Sequence, residues 1–562
     1  MNRISKATGW TTTIPAMACL LVVSGVAGAE PTGSSQVSDV YVSDVVVPFV
    51  LDVDLRDLPP APAWQPGDPI EVVPEGVFAD HAMPADPNWQ DPVRQSSTEA
   101  VDFSGSLLNA FQAIPFGGGT PPDVIGDVGP NHYVAMTNAS RFAIWDKAGN
   151  VLVPTTILSS LWTASGGSGS SPCADGDGDP IVQYDELADR WLMTEFDLSG
   201  NTFCIYVSQG ADPVSSGWYV YGFSAPSFPD YPKYGVWPDA YYVSSFESPS
   251  LGIYAFDRTS MLTGSPATYQ RFAIPQLNGS SPRVTRILPA DHDGDVAPAA
   301  GLPNLFMRTV DATQDNSNPT DRIEIWEYHV DFAVPGNSTF TNTQNLTPAA
   351  FTLLPCSPTT RDCVPQPGAT RMLDALFNRA MRRLAWRVVD NTARMVFTQV
   401  VDAGSGVAGK RWWELRSDTS ANPTWSIHQE GTYSPDSVER FMGSVAMNGN
   451  GDIALGYSVS DAVSVLPGIR VTGRTAGDPA GVMTMDELTI KTGEGVQTTT
   501  QRWGDYSSMN VDPTDDQTFW YTNQIVQSNG LWVTWVGEFS LGGIFSDGFE
   551  DGTTNAWSFV QP

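Results

Sequence analysis

Between residues 121 and 541, short runs of aromatic and β-branched residues are broken by Gly, Asp, Asn and Pro. Within the runs, apolar and polar positions alternate. A period of two puts alternate side chains on one face, so these runs predict half-buried or fully buried strands. The phrase recurs seven times, beginning at GDVGPNHYVAMTN, GDPIVQYDELADRWLMTEF, KYGVWPDAYYVSSF, RILPADHDGD, RMLDALFNRAMRRLAWRVVD, RFMGSVAMNGNGDIALGYSVS and RWGDYSSMNVDPTDDQTFWYTNQ. Each unit carries a turn signal, a strand, a polar hairpin, a second strand and further apolar strand text. One such sheet cannot bury both faces alone, and packing the sheets in a ring does so while shielding their edges. The expected fold is therefore all-β, a seven-bladed β-propeller. Two stacked β-sandwiches are the competing arrangement, disfavoured because the repeat spans the whole region. Within the fifth unit, FNRAMRRLAWRVV reads as a hairpin with a tight Asn-Arg-Ala turn.

The flanks read differently. Residues 1–29 have a basic start (Arg3, Lys6), an apolar run from Ile14 to Val26 and small residues at Ala27-Gly28-Ala29, the pattern of a secretory signal peptide. No later run is apolar enough for a membrane span. Residues 30–119 are Pro- and Asp-rich (DLRDLPPAPAWQPGDP) and read as an extended arm or a pro-segment. The domain expectation is thus 1–29 signal, 30–119 arm, 120–541 propeller and 542–562 an acidic tail.

Export favours oxidised thiols. Cys356 and Cys363 flank a short loop and are expected to pair, leaving Cys173 with Cys204. The formal charge of −33 repels nucleic acid and anionic membranes. It does not identify a partner; an acidic glycan or an extracellular protein is expected from the placement of the cations, and the chain is expected to be a monomer.

Several phrases, among them GDPIVQYDELADRW, DYPKYGVWPD, MGSVAMNGNGDIALGYS and RWGDYSSMNVDPTDDQTFWYTN, resemble a group of uncharacterised secreted bacterial propellers related to the sialidase-like fold. The resemblance implies the fold and carries no activity. Gln517 stands where that group's pattern leads one to expect a cysteine, and only degenerate Asp-boxes (SDTSANPTW, DPTDDQTFW) are present. The final GGIFSDGFEDGTTNAW resembles the DGFE-type tail of exported gammaproteobacterial proteins, which implies handling at the exterior of a Gram-negative cell.

Five cations, Lys233, Arg286, Arg371, Arg440 and Arg502, stand just before the presumed innermost strands of their units, in a chain with 29 basic residues. A ring of them at one end of a propeller axis would grip a carboxylate or sulfate, because guanidinium forks match planar anions. The competing expectation is that they pair with aspartates at the same positions and lock blade to blade. Candidate acid–base groups are Asp505 with Tyr506 and Asp127 with His132. Such groups could support glycosidic cleavage or β-elimination next to a neutralised uronate. A glycoside hydrolase or polysaccharide lyase acting on an acidic glycan is one functional expectation, and a non-catalytic binding or adhesion propeller is the other.

Asp175, Asp177 and Asp179 alternate in a DGDGD turn and are the candidate Ca²⁺ ligands. Against them, Pro180 occupies the position where a calcium loop needs Gly. DHDGD and NGNGD are read as turns. No other cofactor is expected: the histidines show no zinc spacing, and there is no phosphate loop or GxSxG elbow. Trp237, Trp412, Trp413, Trp503 and Trp520 are candidate sugar platforms, with core packing the stronger expectation for each.

Overall fold

The computed structural model describes residues 35–37, 39–72, 86–96, 105–277, 286–356, 361–420 and 422–542. The signal segment, His81 and the acidic tail from 543 onward lie outside the described residues. No helix among the described residues is long and apolar enough to cross a membrane.

Seven four-stranded antiparallel units follow one another. Their innermost strands are Ile125–Val128, Gly178–Asp185, Asp230–Val236, Leu288–His292, Ala380–Val389, Glu439–Met447 and Ser508–Val511. Each innermost strand packs against the next, and Ser508–Val511 packs back against Ile125–Val128, so the ring closes. The chain is an all-β propeller. Blades are numbered one to seven in that order.

Burial explains why these segments hold as strands. Every residue of Gly178–Asp185, Thr202–Ser208 and Tyr241–Glu247 is buried, because each strand lies between two neighbouring sheets. Blades two and three interlock through edge-on rings: Phe203 with Tyr254 (5.0 Å) and Phe223 with Phe256 (5.1 Å). Such pairs add about 0.5–1.5 kcal/mol each beyond the area they bury.

The chain ahead of residue 120 supplies strands to these sheets. Ser106–Pro115 pairs antiparallel with Trp532–Ser540 and is the outermost strand of blade seven, so a segment expected in the arm completes the last sheet. Earlier pieces run along outer edges: Ser35–Val37 on blade four, Tyr41–Val42 on blade three, Phe49–Leu51 on blade two and a single bridge from Pro60 to Thr156 on blade one. Arg94–Gln95 then pairs in parallel with Ser426–Tyr433 of blade five. An unpaired outer edge is a template for aggregation, and the arm occupies several of them.

One local expectation is corrected. FNRAMRRLAWRVV is not a hairpin. After a turn at Phe377–Arg379, Ala380–Val389 runs as one ten-residue strand, while Leu373–Asp374 pairs elsewhere, with Asp362–Val364. Cross-blade packing on both faces holds the strand, whatever its local Asn-Arg turn signal. The NGNGD turn forms as read: Asn448 Oδ1 accepts from the backbone of Asn450 and Asp452, and Gly451 takes φ +83°.

Both disulfides form, Cys173–Cys204 with separation 31 and Cys356–Cys363 with separation 7. Loop-closure entropy scales with the span enclosed, giving about 3–4 kcal/mol for the first and about 2 kcal/mol for the second. Urea unfolding of the Cys173→Ala/Cys204→Ala chain should therefore show the larger loss and that of Cys356→Ala/Cys363→Ala the smaller. Equal losses, or the reverse order, would contradict this account.

Candidate functional site

The innermost strands are not regular. Register shifts interrupt them at Gly178/Ile181, Asp230/Lys233, Met381/Ala385 and Phe441/Ser444. Asp179 (φ +45°), Tyr231 (φ +54°) and Met442 (φ +41°) sit inside three of these shifts in left-handed backbone, and Asp123 (φ +42°) precedes the first innermost strand. Bulges of this kind re-aim side chains. Here they bring polar groups of several blades together at one end of the ring.

Lys233 is fully buried. Its ammonium lies 3.5 Å from the centre of the Tyr231 ring and 4.1 Å from that of Tyr506, and it donates to Pro232 O at 2.9 Å. Burial pulls its pKa down to about 7, with Asp179, Asp123 and Asp505 opposing the fall. Arg286 lies 3.9 Å from Asp230 and over the rings of Phe246 and Tyr231. Arg502 binds Asp505 at 3.1 Å, and Arg361 binds Asp374 at 2.8 Å. Arg379 lies over Tyr231 and donates to Asn378 Oδ1, while its Nη2 makes no hydrogen bond. Arg382 donates to Ser508 Oγ at 2.8 Å, with Nε and Nη2 unmatched.

The carboxylates respond in two ways. Burial works to raise Asp505, but Arg502, Arg361 and Arg379 outweigh it and hold the group below the ordinary range. Asp123 and Asp179 are raised, chiefly by burial, Asp179 to about 7. Asn138 joins them: its Nδ2 donates to Asp123 and its Oδ1 accepts from the Asp179 backbone. Asp230 and Asp374 are also raised by burial, against the pull of Arg286 and Arg361. Almost all of this cluster is buried. Its most accessible members are Asp230, with 19% of its side chain exposed, Arg502 (9%) and Asp505 (8%).

Of the five cations singled out in the sequence, Lys233, Arg286 and Arg502 thus meet at the axis. Arg371 does not: it is exposed and donates to Thr498 O. Arg440 does not either. It is buried within blade six, bound to Asp436 and Glu487 and lying over Tyr433. Arg361, Arg379 and Arg382 take their places, and sequence reasoning missed them. Arg361 lies in a connecting loop, and Arg379 and Arg382 flank the bulged start of the blade-five strand. The cation-rich text NRAMRR was their only signal.

Asp505 and Tyr506 lie at the axis, Tyr506 donating to Pro180 O. Asp127 is buried deeper in the ring, accepting from the Tyr184 backbone at 2.8 Å and facing Arg383 and Arg382. His132 is not its partner; it lies at the blade-one hairpin, 3.6 Å from Asp212. Asp175, Asp177 and Asp179 do not converge. The first two line a surface cleft while Asp179 turns to the axis, and among the described residues no group of three or more His, Cys, Asp or Glu could hold a metal. In DHDGD, Asp291 and Asp293 are spent on Arg383. The five tryptophans singled out as platforms are all buried core.

No family profile matches the chain, and no curated protein matches it. Among solved structures, it is similar to the WD40 domain of SCAP from fission yeast: 11% identity, TM-score 0.35, covering 78% of this chain and 98% of that one. It is similar to polysaccharide lyase Uly1 at 10% identity and TM-score 0.35, over 83% and 97% of the two chains. A GH43 endo-arabinanase from Bacillus licheniformis aligns at 14% identity and TM-score 0.25, over 58% and 99%. Superpositions this loose carry nothing about activity. The fold stands on the closed ring of strands.

Asp127 gives a pH signature. Burial raises it from 3.8 to about 7, so the native state keeps a proton that the unfolded chain has lost between those values. Folding stability from this group is full below about pH 4 and is lost as pH rises to about 7. Asp127→Asn removes the titration, so the variant should gain on the wild type by up to about 4 kcal/mol between about pH 4 and pH 8 in urea unfolding. A stability difference that stays flat across that range would show that Asp127 is ionised in the native state.

Proposed function

We propose that the protein is an exported, non-catalytic propeller that binds an acidic extracellular glycan at the axial cluster. The observation that carries this reading is the excess of buried cation. Lys233, Arg286, Arg361, Arg379, Arg382 and Arg502 gather against Asp123, Asp179, Asp230, Asp374 and Asp505, and all of these aspartates except Asp505 are shifted toward the protonated form. Unmatched guanidinium groups away from water are costly, and a ligand carboxylate or sulfate would match them. Binding is favoured over cleavage because the candidate acid–base groups are committed. Asp505 is held by Arg502, Asp127 serves a backbone amide, and His132 faces Asp212.

One observation favours a second reading, β-elimination by a lyase. Lys233, with a pKa near 7 and between two tyrosines, has the character of a proton acceptor.

The test uses the full chain with polygalacturonate and chondroitin sulfate. Affinity electrophoresis should show retention by at least one polymer, weakened about tenfold by Arg379→Gln, a change of about 1.4 kcal/mol. Thermal unfolding of the variant reports whether it folds. No new reducing ends and no ultraviolet absorbance from unsaturated products should appear. Turnover abolished by Lys233→Met would replace this reading with the lyase, and wild-type retention by a folded Arg379→Gln chain would remove the axial site.

A further inference from the structure

A cleft lies away from the axis, where the arm meets blades one and two. Its volume is about 530 Å³, within the size range of small-ligand sites. The arm forms one wall with Trp64, Asp68 and Glu71, the facing wall carries Asp175 and Asp177, and Gly117–Gly119 lie along it. The arm wall is fastened at both ends. Ala61 N donates to Thr155 O, Arg141 donates to Pro62 O and Gly117 O, and Glu71–Val72 pairs with Gly119–Thr120.

Charge in the cleft is one-sided. Four carboxylates line it against one cation, Arg141, whose Nη1 and Nη2 donate to two backbone carbonyls while its Nε has no hydrogen-bond partner. A fifth carboxyl lies just behind, its pKa raised by burial to about 8, so it is protonated at neutral pH and adds no charge to the cleft. Glu195 is 1% exposed; its Oε1 accepts from Tyr206 OH, and its Oε2 makes no hydrogen bond. Gly176, which lines the cleft, packs against it: a Cβ at that position would fall 1.9 Å from Oε2. Trp64, half-buried and packed edge-on against Phe116 at 5.1 Å, puts an indole beside these acids.

We propose that this cleft binds an amino sugar, a glucosamine-type residue whose protonated amine meets the carboxylates while its ring lies against Trp64. Acidic side chains with an aromatic ring suit a cationic ligand that also has an apolar face. A metal ion is disfavoured, since among the described residues no group of three or more acids is close enough to hold one. A basic peptide would satisfy the charge but leave the indole without a sugar-ring partner. This site shares no residue with the axial cluster, so either can fail alone.

The test is isothermal titration calorimetry of the full chain at about pH 6, where the amines are charged. The probes are the glucosamine tetramer, its fully N-acetylated counterpart and tetralysine. The glucosamine tetramer should bind about tenfold more tightly than the acetylated form. Asp175→Asn, close to isosteric, and Trp64→Ala should each weaken it about tenfold, with thermal unfolding confirming that both variants fold. Should Trp64→Ala not fold, Trp64→Leu takes its place in the same comparison. Equal binding of both sugars, no heat with either, or tetralysine binding more tightly and unaffected at Trp64 would each overturn the proposal.

Discussion

Ring closure is the constraint on which the rest of this structure depends. A twisted four-stranded sheet exposes two faces and two edges, and in this chain nearly every innermost-strand residue is apolar or carries a buried charge. Only a neighbour on each side can cover both faces. The requirement is met when Ser508–Val511 returns to Ile125–Val128 and Ser106–Pro115 crosses from the far end of the chain to finish the last sheet. The N- and C-terminal parts of the propeller are therefore interdependent, and the closing strand ties them through backbone pairing rather than through side-chain contacts alone.

Closure also creates the electrostatic problem at the axis. Seven strand starts converge on a small volume, and bulges at several of them point polar side chains inward. Guanidinium groups stay charged at any ordinary pH, so the neighbouring groups adjust instead. Lys233 falls toward neutrality, Asp179 and Asp123 rise, and Asp505, nearest three arginines, stays ionised. Aromatic faces do part of the work that carboxylates would do elsewhere: Tyr231 lies beside Lys233, Arg286 and Arg379 at once. A cluster balanced this way can be a lock between blades or a receptor for an anion. The donors left unmatched on Arg379 and Arg382 favour the receptor.

The arm contributes more than edge protection. By pairing against the outer edges of blades two to four in reverse chain order, it reaches blade one at Pro60 and there builds a wall of the acidic cleft. The cleft gathers carboxylates, whereas the axial cluster gathers cations.

The alternation of apolar and polar positions determined by itself that this chain is built of short strands, because a period of two leaves no helical face to bury. The seven-fold recurrence called for a ring, and the spacing of Cys356 and Cys363 called for their bridge. Position relative to the axis was another matter. Lys233, Arg286 and Arg502 were found from the sequence because each stands close to the start of its strand. Arg371 and Arg440 share that register and go elsewhere, while Arg361 and Arg379 arrive from a loop and a turn. A left-handed residue or a bulge turns the next side chain through a large angle, and the linear period carries no mark of it. The same holds for the cleft: Trp64 and Asp175 are far apart along the chain, and only the docking of the arm on blade one makes them neighbours.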